Sequence, residues 1–254
     1  MALLFAGCEP IAPEVIGVFS VSETKQVTFS PGNLQYHPAN NEWRFAQSQL
    51  EYIGEANNNI SSTYNGWIDL FGWSTSATYF GVSRSTDNEN YSGSFVDWGI
   101  NKIGNDAPNT WRTLTYDEWR YIVFNRPNAS SLKGVAQVNG VNGLILLPDN
   151  WTCPSGVTFK SSFHSEWGVE YYAAYQTFTA AEWSKLESTG AVFLPAAGYR
   201  IGSPVLYWQN CGFYWSTTEY NSSRVYCLYF GSDAADMGNG NRDFGQSVRL
   251  VKDL

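Results

Sequence analysis

The chain is short of charge, and of positive charge in particular. Of its 254 residues, 15 are Lys or Arg and 23 are Asp or Glu, which gives a net charge of −8 and a charged fraction of only 15%. Phosphate binding requires clustered Lys and Arg, and no basic run occurs anywhere in the chain. The composition therefore argues against a nucleic-acid partner and indicates a surface covered mainly by neutral polar groups.

Long hydrophobic runs are also missing. No apolar stretch approaches the roughly 18 residues that indicate a membrane-spanning helix. Apolar material for a core is nevertheless plentiful, because aromatic residues make up 17% of the chain and include 11 Trp. The length suits one large domain or two small ones. We interpret residues 19–254 as a single domain.

Motifs for catalysis are absent as well. The two histidines, His37 and His164, lie far apart in the sequence and outside any HExxH pattern. No GxSxG elbow, P-loop or dinucleotide fingerprint occurs. No pair of carboxylates sits in a context that marks a glycosidase. We therefore predict that the protein is not an enzyme and has no catalytic residue and no cofactor.

Cysteine is sparse, with four residues and no CxxC or Cys/His cluster of the kind that binds zinc. Cys211 and Cys227 flank one apolar segment and its following loop, so they could lie on neighbouring strands. A disulfide between them would close a loop of about 15 residues and contribute roughly 3 kcal/mol. Buried free thiols are the alternative, which we favour.

The N-terminus carries the first positive signal. Residues 1–8, Met-Ala-Leu-Leu-Phe-Ala-Gly-Cys, resemble the end of a bacterial lipoprotein signal, in which the Cys is lipidated. Residues 9–14 are Pro-rich and form an extended tether. We predict a truncated lipoprotein signal and tether over residues 1–18, lipidation at Cys8, and a protein anchored by lipid to the bacterial outer membrane and exposed at the cell surface. The alternative is an ordinary apolar N-terminus that packs on the domain.

Short strands are predicted after the tether. Residues 18–21, 26–29, 33–36 and 43–46 are apolar segments separated by turn signals, and they indicate a β-meander. Residues 54–110 are rich in Asn, Ser and Gly, and a structureless stretch of that length is uncommon in a compact domain. We expect this region to be held by aromatic side chains that insert into the core, namely Trp67, Phe71, Trp73 and Trp98.

Two helices are predicted from the same N-terminal capping motif. Residues 115–118 and 179–182 both form capping boxes, and each is flanked by apolar residues placed as a hydrophobic staple. The first helix should run to about Phe124 and the second to about Ser188, with Gly190 as its stop. Between the two helices, residues 143–147 predict a buried strand.

The last sixty residues alternate between apolar and polar segments. Residues 193–200, 212–217, 224–230 and 247–251 are brief and apolar, and they indicate buried strands. The stretches between them consist mostly of Asn, Ser, Gly, Asp and Tyr, which predicts surface loops. Tyr provides stiff contact area while Ser, Asn and Gly adapt their hydrogen bonds, so these loops are typical of a binding surface.

Two segments resemble known proteins. Residues 111–121, Trp-Arg-Thr-Leu-Thr-Tyr-Asp-Glu-Trp-Arg-Tyr, resemble the first-helix signature of formylglycine-generating-enzyme-like proteins, which have a C-type-lectin-like fold. The closing pattern, which includes Tyr-Trp-Ser-Thr-Thr at 214–218 and Gly-Gln-Ser-Val-Arg-Leu-Val at 245–251, is similar to a paralogous family of surface lipoproteins in gut bacteria. Related domains are the variable proteins of diversity-generating retroelements. The resemblance implies an α+β, C-type-lectin-like fold with a mixed β-sheet core, two helices and long irregular loops.

The resemblance also implies a site. In the variable proteins, adenine-directed mutagenesis rewrites codons near the C-terminus, and the changed residues bind a protein or glycan partner. Carried over to this chain, the ligand-binding candidates are Tyr207, Trp208, Asn210, Glu219, Tyr220, Asn221, Ser223, Arg224, Tyr226, Tyr229, Ser232, Asp233, Asp236, Asn239, Asn241 and Asp243. Tyr226 and Tyr229 cannot both face solvent in a strand whose side chains alternate.

The chain departs from the enzymatic branch of that fold, because Val248-Arg-Leu-Val251 stands where those enzymes place a reactive Cys. It also has only a partial likeness, at residues 147–151, to the calcium-ligand triplets of lectins, so we predict no metal site, although Asp233 and Asp236 could supply oxygen ligands. We expect a monomeric, non-catalytic recognition protein, with a retroelement-diversified binding face as one possibility. The alternatives are a fixed adhesin or glycan-capture protein, a surface-layer role, and an enzyme of the formylglycine-generating type.

Overall fold

The computed structural model describes residues 17–58, 64–74 and 94–254, and within them the chain is α+β. The predicted lipidation site Cys8 and most of the tether lie outside these residues. No described helix is long and apolar enough to cross a membrane. The α-helices are α1 Tyr116–Arg120, α2 Val169–Tyr175 and α3 Ala180–Glu187, and the strands are β1 Phe19–Ser20, β2 Gln26–Phe29, β3 Leu34–His37, β4 Glu42–Phe45, β5 Lys133–Val138, β6 Val141–Leu146, β7 Thr177–Phe178, β8 Val192–Pro195, β9 Tyr199–Arg200, β10 Val205–Leu206, β11 Gly212–Glu219, β12 Arg224–Phe230, β13 Ala235–Asn241 and β14 Val251–Asp253.

The four N-terminal strands occur where they were predicted, but the prediction of one continuous meander is wrong. β2 pairs with β1 on one side and with the C-terminal strand β14 on the other, in the order β1-β2-β14. β3 and β4 form a separate hairpin. The edge of β2 that a meander would offer to β3 is occupied by β14, a long-range pairing that local turn signals do not reveal.

Both predicted helices are present, and both capping boxes are confirmed. The hydroxyl of Thr115 accepts a hydrogen bond from the Glu118 backbone N–H at 3.2 Å, and the Glu118 carboxylate accepts one from the Thr115 N–H at 2.9 Å. α1 continues into a π-helical turn, Tyr121–Asn125. Thr179 and Glu182 make the same reciprocal pair at the start of α3.

The prediction of two helices was incomplete, because α2 is a third. It begins at Gly168, which supplies no side-chain cap, so the sequence carries no N-terminal signal for it. The predicted strand at 143–147 corresponds to β6, which lies in a four-stranded sheet of order β7-β5-β6-β8. β5 and β6 are joined by a tight turn whose residues Asn139 and Gly140 both have positive φ.

The C-terminal sheet has the order β11-β12-β13. β11 and β12 were predicted, but the assignment of the last polar stretch to loop is wrong over β13. Its sequence, Ala-Asp-Met-Gly-Asn-Gly-Asn, has no apolar alternation, and its residues are mostly exposed or half-buried. β13 is a strand because its backbone pairs with β12 along the whole of its length.

Alternation along β11 and β12 divides the side chains between two cores. Tyr214 and Leu228 face one core, which includes Trp119 of α1. Trp215 and Cys227 face another, which includes the predicted anchors Phe71, Trp73 and Trp98. The remaining predicted anchor, Trp67, is only half-buried and lies beneath the Arg44 guanidinium, 3.7 Å from its ring centroid. The C-terminal sheet is therefore sandwiched between two packed layers.

Candidate functional site

A concave site lies on the face of the C-terminal sheet that carries Trp215 and Cys227. It is a cavity of about 420 Å³, which is within the usual range for small-ligand pockets. We call its aromatic wall the aromatic cage. The cage consists of Trp167, Tyr199, Tyr207, Phe213, Tyr229 and Phe244, and the lining is completed by Cys211, Asn239, Gly240 and Gln246.

The rings of the cage contact one another at mixed angles. Tyr199 is central: its ring centroid lies 4.8 Å from that of Phe213 in an edge-on contact, and 5.3 Å from that of Phe244 and 5.9 Å from that of Tyr207 in stacked contacts. Tyr229 meets Phe213 at 5.1 Å and 42°. The rings therefore enclose a volume from several directions and do not form one flat platform.

The cavity depends on the register of β11, β12 and β13 and on two glycines of β13. Phe213 and Tyr229 are direct cross-strand partners on β11 and β12. Gly238 and Gly240 on β13 lie opposite Cys227 and Val225, so a side chain at either glycine would project from the same face as the cage. A Cβ at Gly240 would lie 2.3 Å from the Gln246 side-chain nitrogen, so only glycine leaves that side chain in place.

The polar groups of the cavity are suited to binding and poorly suited to nucleophilic chemistry. Burial raises the pKa of the Cys211 thiol to about 11 and that of Tyr229 to about 12, with the Asp233 carboxylate adding to both increases. A thiol with so high a pKa is protonated near neutral pH and is a weak nucleophile. Gln246 is 1% exposed, and its side-chain oxygen has no hydrogen-bond partner among the described residues.

Two carboxylates flank the cage. Asp236 is exposed and pairs directly with Tyr229 across β12 and β13, so both project from the cage face. Asp233 is also exposed. A Cβ added at Gly231 would lie 3.1 Å from the Asp233 carboxylate oxygen and 2.9 Å from the Trp167 indole nitrogen, so Asp233 and Trp167 both lie beside that glycine. No Lys or Arg is among the described residues that line the cavity. The lining itself is therefore uncharged, with carboxylates at one edge and Arg224, which is hydrogen-bonded to the lining residue Asn239, at another.

Part of the predicted site belongs to this cage. Tyr207 and Tyr229 line it with their rings, and Asp233 and Asp236 flank it. Asn239 borders it from β13, but its side chain projects to the opposite face, where it accepts a hydrogen bond from Arg224. Every predicted site residue is at least partly exposed except Ser232, which is completely buried. The Ser232 hydroxyl accepts a hydrogen bond from the Gly168 N–H and donates one to the Glu166 carbonyl, so Ser232 holds a loop and does not contact a ligand.

A second part of the predicted site lies elsewhere. Tyr226 alternates to the opposite face of β12, where its ring lies 4.2 Å from that of Tyr116 on α1 and 5.2 Å from that of Tyr220. We call these three residues the tyrosine cluster. The predicted residues at or near the β11–β12 turn and this cluster are Glu219, Tyr220, Asn221, Ser223, Arg224, Tyr226 and Asn241.

Several turn residues are bonded within the turn. The Asn221 side-chain oxygen accepts hydrogen bonds from the Ser223 and Arg224 backbone N–H groups, both at 2.9 Å. Glu219 forms an ion pair with the largely buried Arg242 at 3.1 Å. A compact ligand in the cage therefore has no access to this group, which lies on a different part of the sheet.

The remaining predicted residues support the rim. Trp208 packs against Leu70 and Val205, and the Asn210 carbonyl accepts a hydrogen bond from the Tyr172 hydroxyl at 2.7 Å. Asp243 is half-buried, and burial raises the pKa of its carboxyl. These contacts fix loop conformation beside the cage.

Sequence reasoning missed much of the cage. Tyr199 and Phe213 lie in segments predicted as buried strands, and Trp167 precedes a helix that was not predicted. Phe244 and Gln246 lie between β13 and β14, in a stretch that was treated as loop and closing strand. A signal that could have found part of the set is Gly-Asn-Gly at 238–240, which predicts close approach or empty space beside a strand.

The cysteine and metal predictions can be compared with the structure. Cys211 and Cys227 are both buried free thiols, as favoured, and Cys153 is an exposed free thiol. No group of three or more potential metal ligands occurs among the described residues. Asp149, in the segment with partial likeness to a calcium triplet, instead accepts hydrogen bonds from the Ser20 N–H at 2.8 Å and hydroxyl at 2.6 Å, and pairs with Arg126 at 3.0 Å.

Comparison with known proteins gives one family match. A family model described as Domain of unknown function (DUF8237) matches residues 175–251, a range that includes all of the cage except Trp167. No curated protein and no solved structure matches the chain.

Proposed function

We propose that the protein is a non-catalytic recognition protein that binds its ligand in the aromatic cage and at the exposed residues around it. The observation that carries this proposal is a cavity of about 420 Å³ lined by six aromatic side chains, beside a sheet that contributes residues to a core on each face. Rigid aromatic groups supply contact area at a low entropic cost, and cavities of this kind are the usual location of ligand sites.

The fold that we propose is C-type-lectin-like. Support comes from the α+β composition, the short helices and the long irregular connections, together with the resemblance of residues 111–121 and 245–251 to proteins of that fold. The segment at residues 1–8 supports attachment by lipid at Cys8 and display on the outer membrane. In this arrangement the ligand is a protein or glycan presented outside the cell.

The binding face is a candidate for diversification by a retroelement. The exposed candidates Tyr207, Asp233 and Asp236 lie around a floor of buried or half-buried residues, so the rim could vary while the floor stays constant. Deep sequencing of the gene's 3′ end across a bacterial population tests this idea. We expect substitutions confined to adenine positions in codons within 207–243, with a near-identical template repeat nearby. An invariant 3′ end without a repeat would leave a fixed adhesin.

A binding array tests the recognition function itself. The purified protein would be screened on glycan and protein arrays beside two matched variants, Tyr207→Leu in the cage and Tyr220→Leu in the tyrosine cluster. Tyr207 and Tyr220 have similar exposure, 47% and 50%, so the two variants remove comparable surface. We expect Tyr207→Leu to abolish array binding and Tyr220→Leu to retain it. Array binding that survives Tyr207→Leu would refute the cage as the site.

A further inference from the structure

The chemistry of the cage restricts its ligand beyond the general recognition role. Aromatic rings present a negative face. Tyr199 is nearly parallel to Tyr207 and Phe244, at 18° and 28°, whereas Phe213 is turned by 69° from Tyr199 and by 42° from Tyr229, so rings of different orientation border one volume. A flat sugar ring is best held by a parallel platform. A compact, roughly spherical cation is best held by rings on several sides, as in known aromatic cages for quaternary ammonium groups.

Polar and charged groups near the cavity also favour a cation. Gln246 lines the cavity, and its buried side-chain oxygen has no hydrogen-bond partner among the described residues. Two carboxylates lie at its edge: Asp236 pairs with Tyr229 across the sheet, and Asp233 lies beside Trp167. The described lining contains no Lys or Arg.

The hydrogen-bonding needs of a primary ammonium and of a methylated ammonium differ, and the lining suits the second better. A primary ammonium carries three N–H donors that need acceptors when they leave water. Six aromatic side chains dominate the lining, and its oxygens, which include three Tyr hydroxyls and the Gln246 amide, are neutral. A methylated ammonium has fewer donors to satisfy, or none, and its methyl groups pack on the rings.

We propose that the aromatic cage binds a trimethylammonium group, with Asp233 and Asp236 providing long-range attraction. The inference rests on the proposed recognition function and specifies its ligand class. Such a group occurs both in choline head groups and in trimethylated lysine side chains, which share this chemistry. The rest of the ligand would contact the rim beyond the cage.

Calorimetric titration with matched small molecules tests the proposal. The probes are choline, its neutral carbon isostere 3,3-dimethylbutan-1-ol, and ethanolamine, which keeps the charge and loses the methyl groups. We expect choline to bind on the order of tenfold more tightly than either comparison compound, as cation–π attraction in a desolvated site allows. Equal affinity for the neutral isostere, or no measurable choline binding, would overturn the proposal. Phosphocholine and Nε-trimethyllysine, titrated in the same way, distinguish the two sources.

Variants locate the effect. The double variant Asp233→Asn/Asp236→Asn should weaken choline binding several-fold at low salt and leave binding of the neutral isostere unchanged, because only the cation feels the removed charge. The control for net charge is Asp117→Asn, which removes an exposed carboxylate on α1 and should change neither the affinity for choline nor that for the neutral isostere. An equal loss with both probes would indicate disturbed packing and would count against the electrostatic role.

The outcomes also separate this inference from the proposed function. If an array ligand depends on Tyr207 while choline does not bind, the recognition function stands and the trimethylammonium assignment falls. If no array ligand depends on Tyr207 and choline does not bind, both fall. Choline binding that is lost in Tyr207→Leu supports both.

Discussion

The aromatic cage and the tyrosine cluster lie on opposite faces of the same strand and differ in what faces them. Tyr229 and Tyr226 are three residues apart on β12, so their side chains alternate to different faces. On the cage face, the neighbouring strand β13 presents Gly238 and Gly240 and leaves space. On the other face, Tyr116 of α1 packs directly on Tyr226. Tyrosines of similar sequence context thus become a ligand wall in one case and a packing contact in the other.

The comparison shows that aromatic content alone does not identify a binding site. What distinguishes the cage is missing side-chain volume on β13 combined with rings contributed by β9, β11 and β12. What closes the tyrosine cluster is a helix placed by its own capping box. Four changes test this contrast, in order of decreasing expected effect on stability.

The largest effect is expected from Trp119→Ala, which removes a core side chain from the face of the sheet opposite the cage. Trp119 is completely buried, and its indole N–H donates a hydrogen bond to the Trp215 carbonyl at 3.2 Å. Its truncation should lower the free energy of unfolding by about 3–5 kcal/mol, as for other buried aromatics. Denaturant unfolding measures this change. The control is Trp167→Ala in the cage, where the side chain is 45% exposed. A comparable loss in that control would contradict the assigned difference.

A smaller effect is expected from filling the space on β13. Gly240→Ala places a methyl group 2.3 Å from the Gln246 side chain, so we expect a loss of about 1–3 kcal/mol and weaker cage binding. At Gly238 the added Cβ would meet its nearest atoms at 3.5 and 3.8 Å, which are ordinary contacts. Gly238→Ala should therefore be neutral or stabilising by about 0.4–1 kcal/mol. Thermal unfolding and ligand titration of the two variants would be compared. Equal stability and equal ligand affinity in both would argue against a requirement for glycine at position 240.

At the turn, Asn221→Ala should cost about 1 kcal/mol, because the backbone N–H groups of Ser223 and Arg224 lose their acceptor. The matched change Asn239→Ala removes one exposed hydrogen bond from Arg224 at 3.3 Å and should stay within about 0.5 kcal/mol. Chemical denaturation detects the difference. Cage binding that falls in Asn221→Ala would show that the two regions are coupled.

The last test, alkylation of the three described cysteines, uses the unchanged protein and involves no change in stability. Burial raises the pKa of Cys211 to about 11 and that of Cys227 to about 12, so both are protonated at pH 8, whereas Cys153 is exposed. Peptide mapping after alkylation should show Cys153 modified first. Alkylation of Cys211 should accelerate about tenfold per pH unit below its pKa, because only the thiolate reacts. A cage ligand should slow the reaction of Cys211 alone, and protection of Cys227 to the same extent would contradict this placement.

Local signals in the sequence were sufficient for part of the fold. The capping boxes at Thr115 and Thr179 predicted both helix starts, because the interacting groups lie within one turn. The segments at 26–29 and 224–230 matched β2 and β12 residue for residue. Pairing between distant segments was not predictable: β13 is a strand only because β12 is its neighbour, and β2 pairs with β14 across most of the chain.

The candidate site was predicted by composition and corrected by geometry. Polar residues of the stretch that was assigned to loop, such as Asp233 and Asp236, do flank the cage. Its floor, however, comes from residues such as Tyr199 and Phe213, whose apolar character indicates a core as readily as a pocket. Which of the two they form depends on the glycines of a neighbouring strand and on the position of Trp167, and neither follows from sequence spacing.

The bond between Ser20 and Asp149 has a mechanical consequence. A pulling force applied at residue 17 first reaches β1, which is held by two pairings to β2 and by the Asp149 carboxylate, itself fixed by Arg126. From there the tension passes into the body of the domain through Asp149 and into β14 through β2. The strands of the cage pair with neither β1 nor β2, so they lie outside the first path of the load. A ligand pulled against the tether therefore loads β1 and the Ser20–Asp149 bond at one end of the path and the cage at the other, with the body of the domain between them.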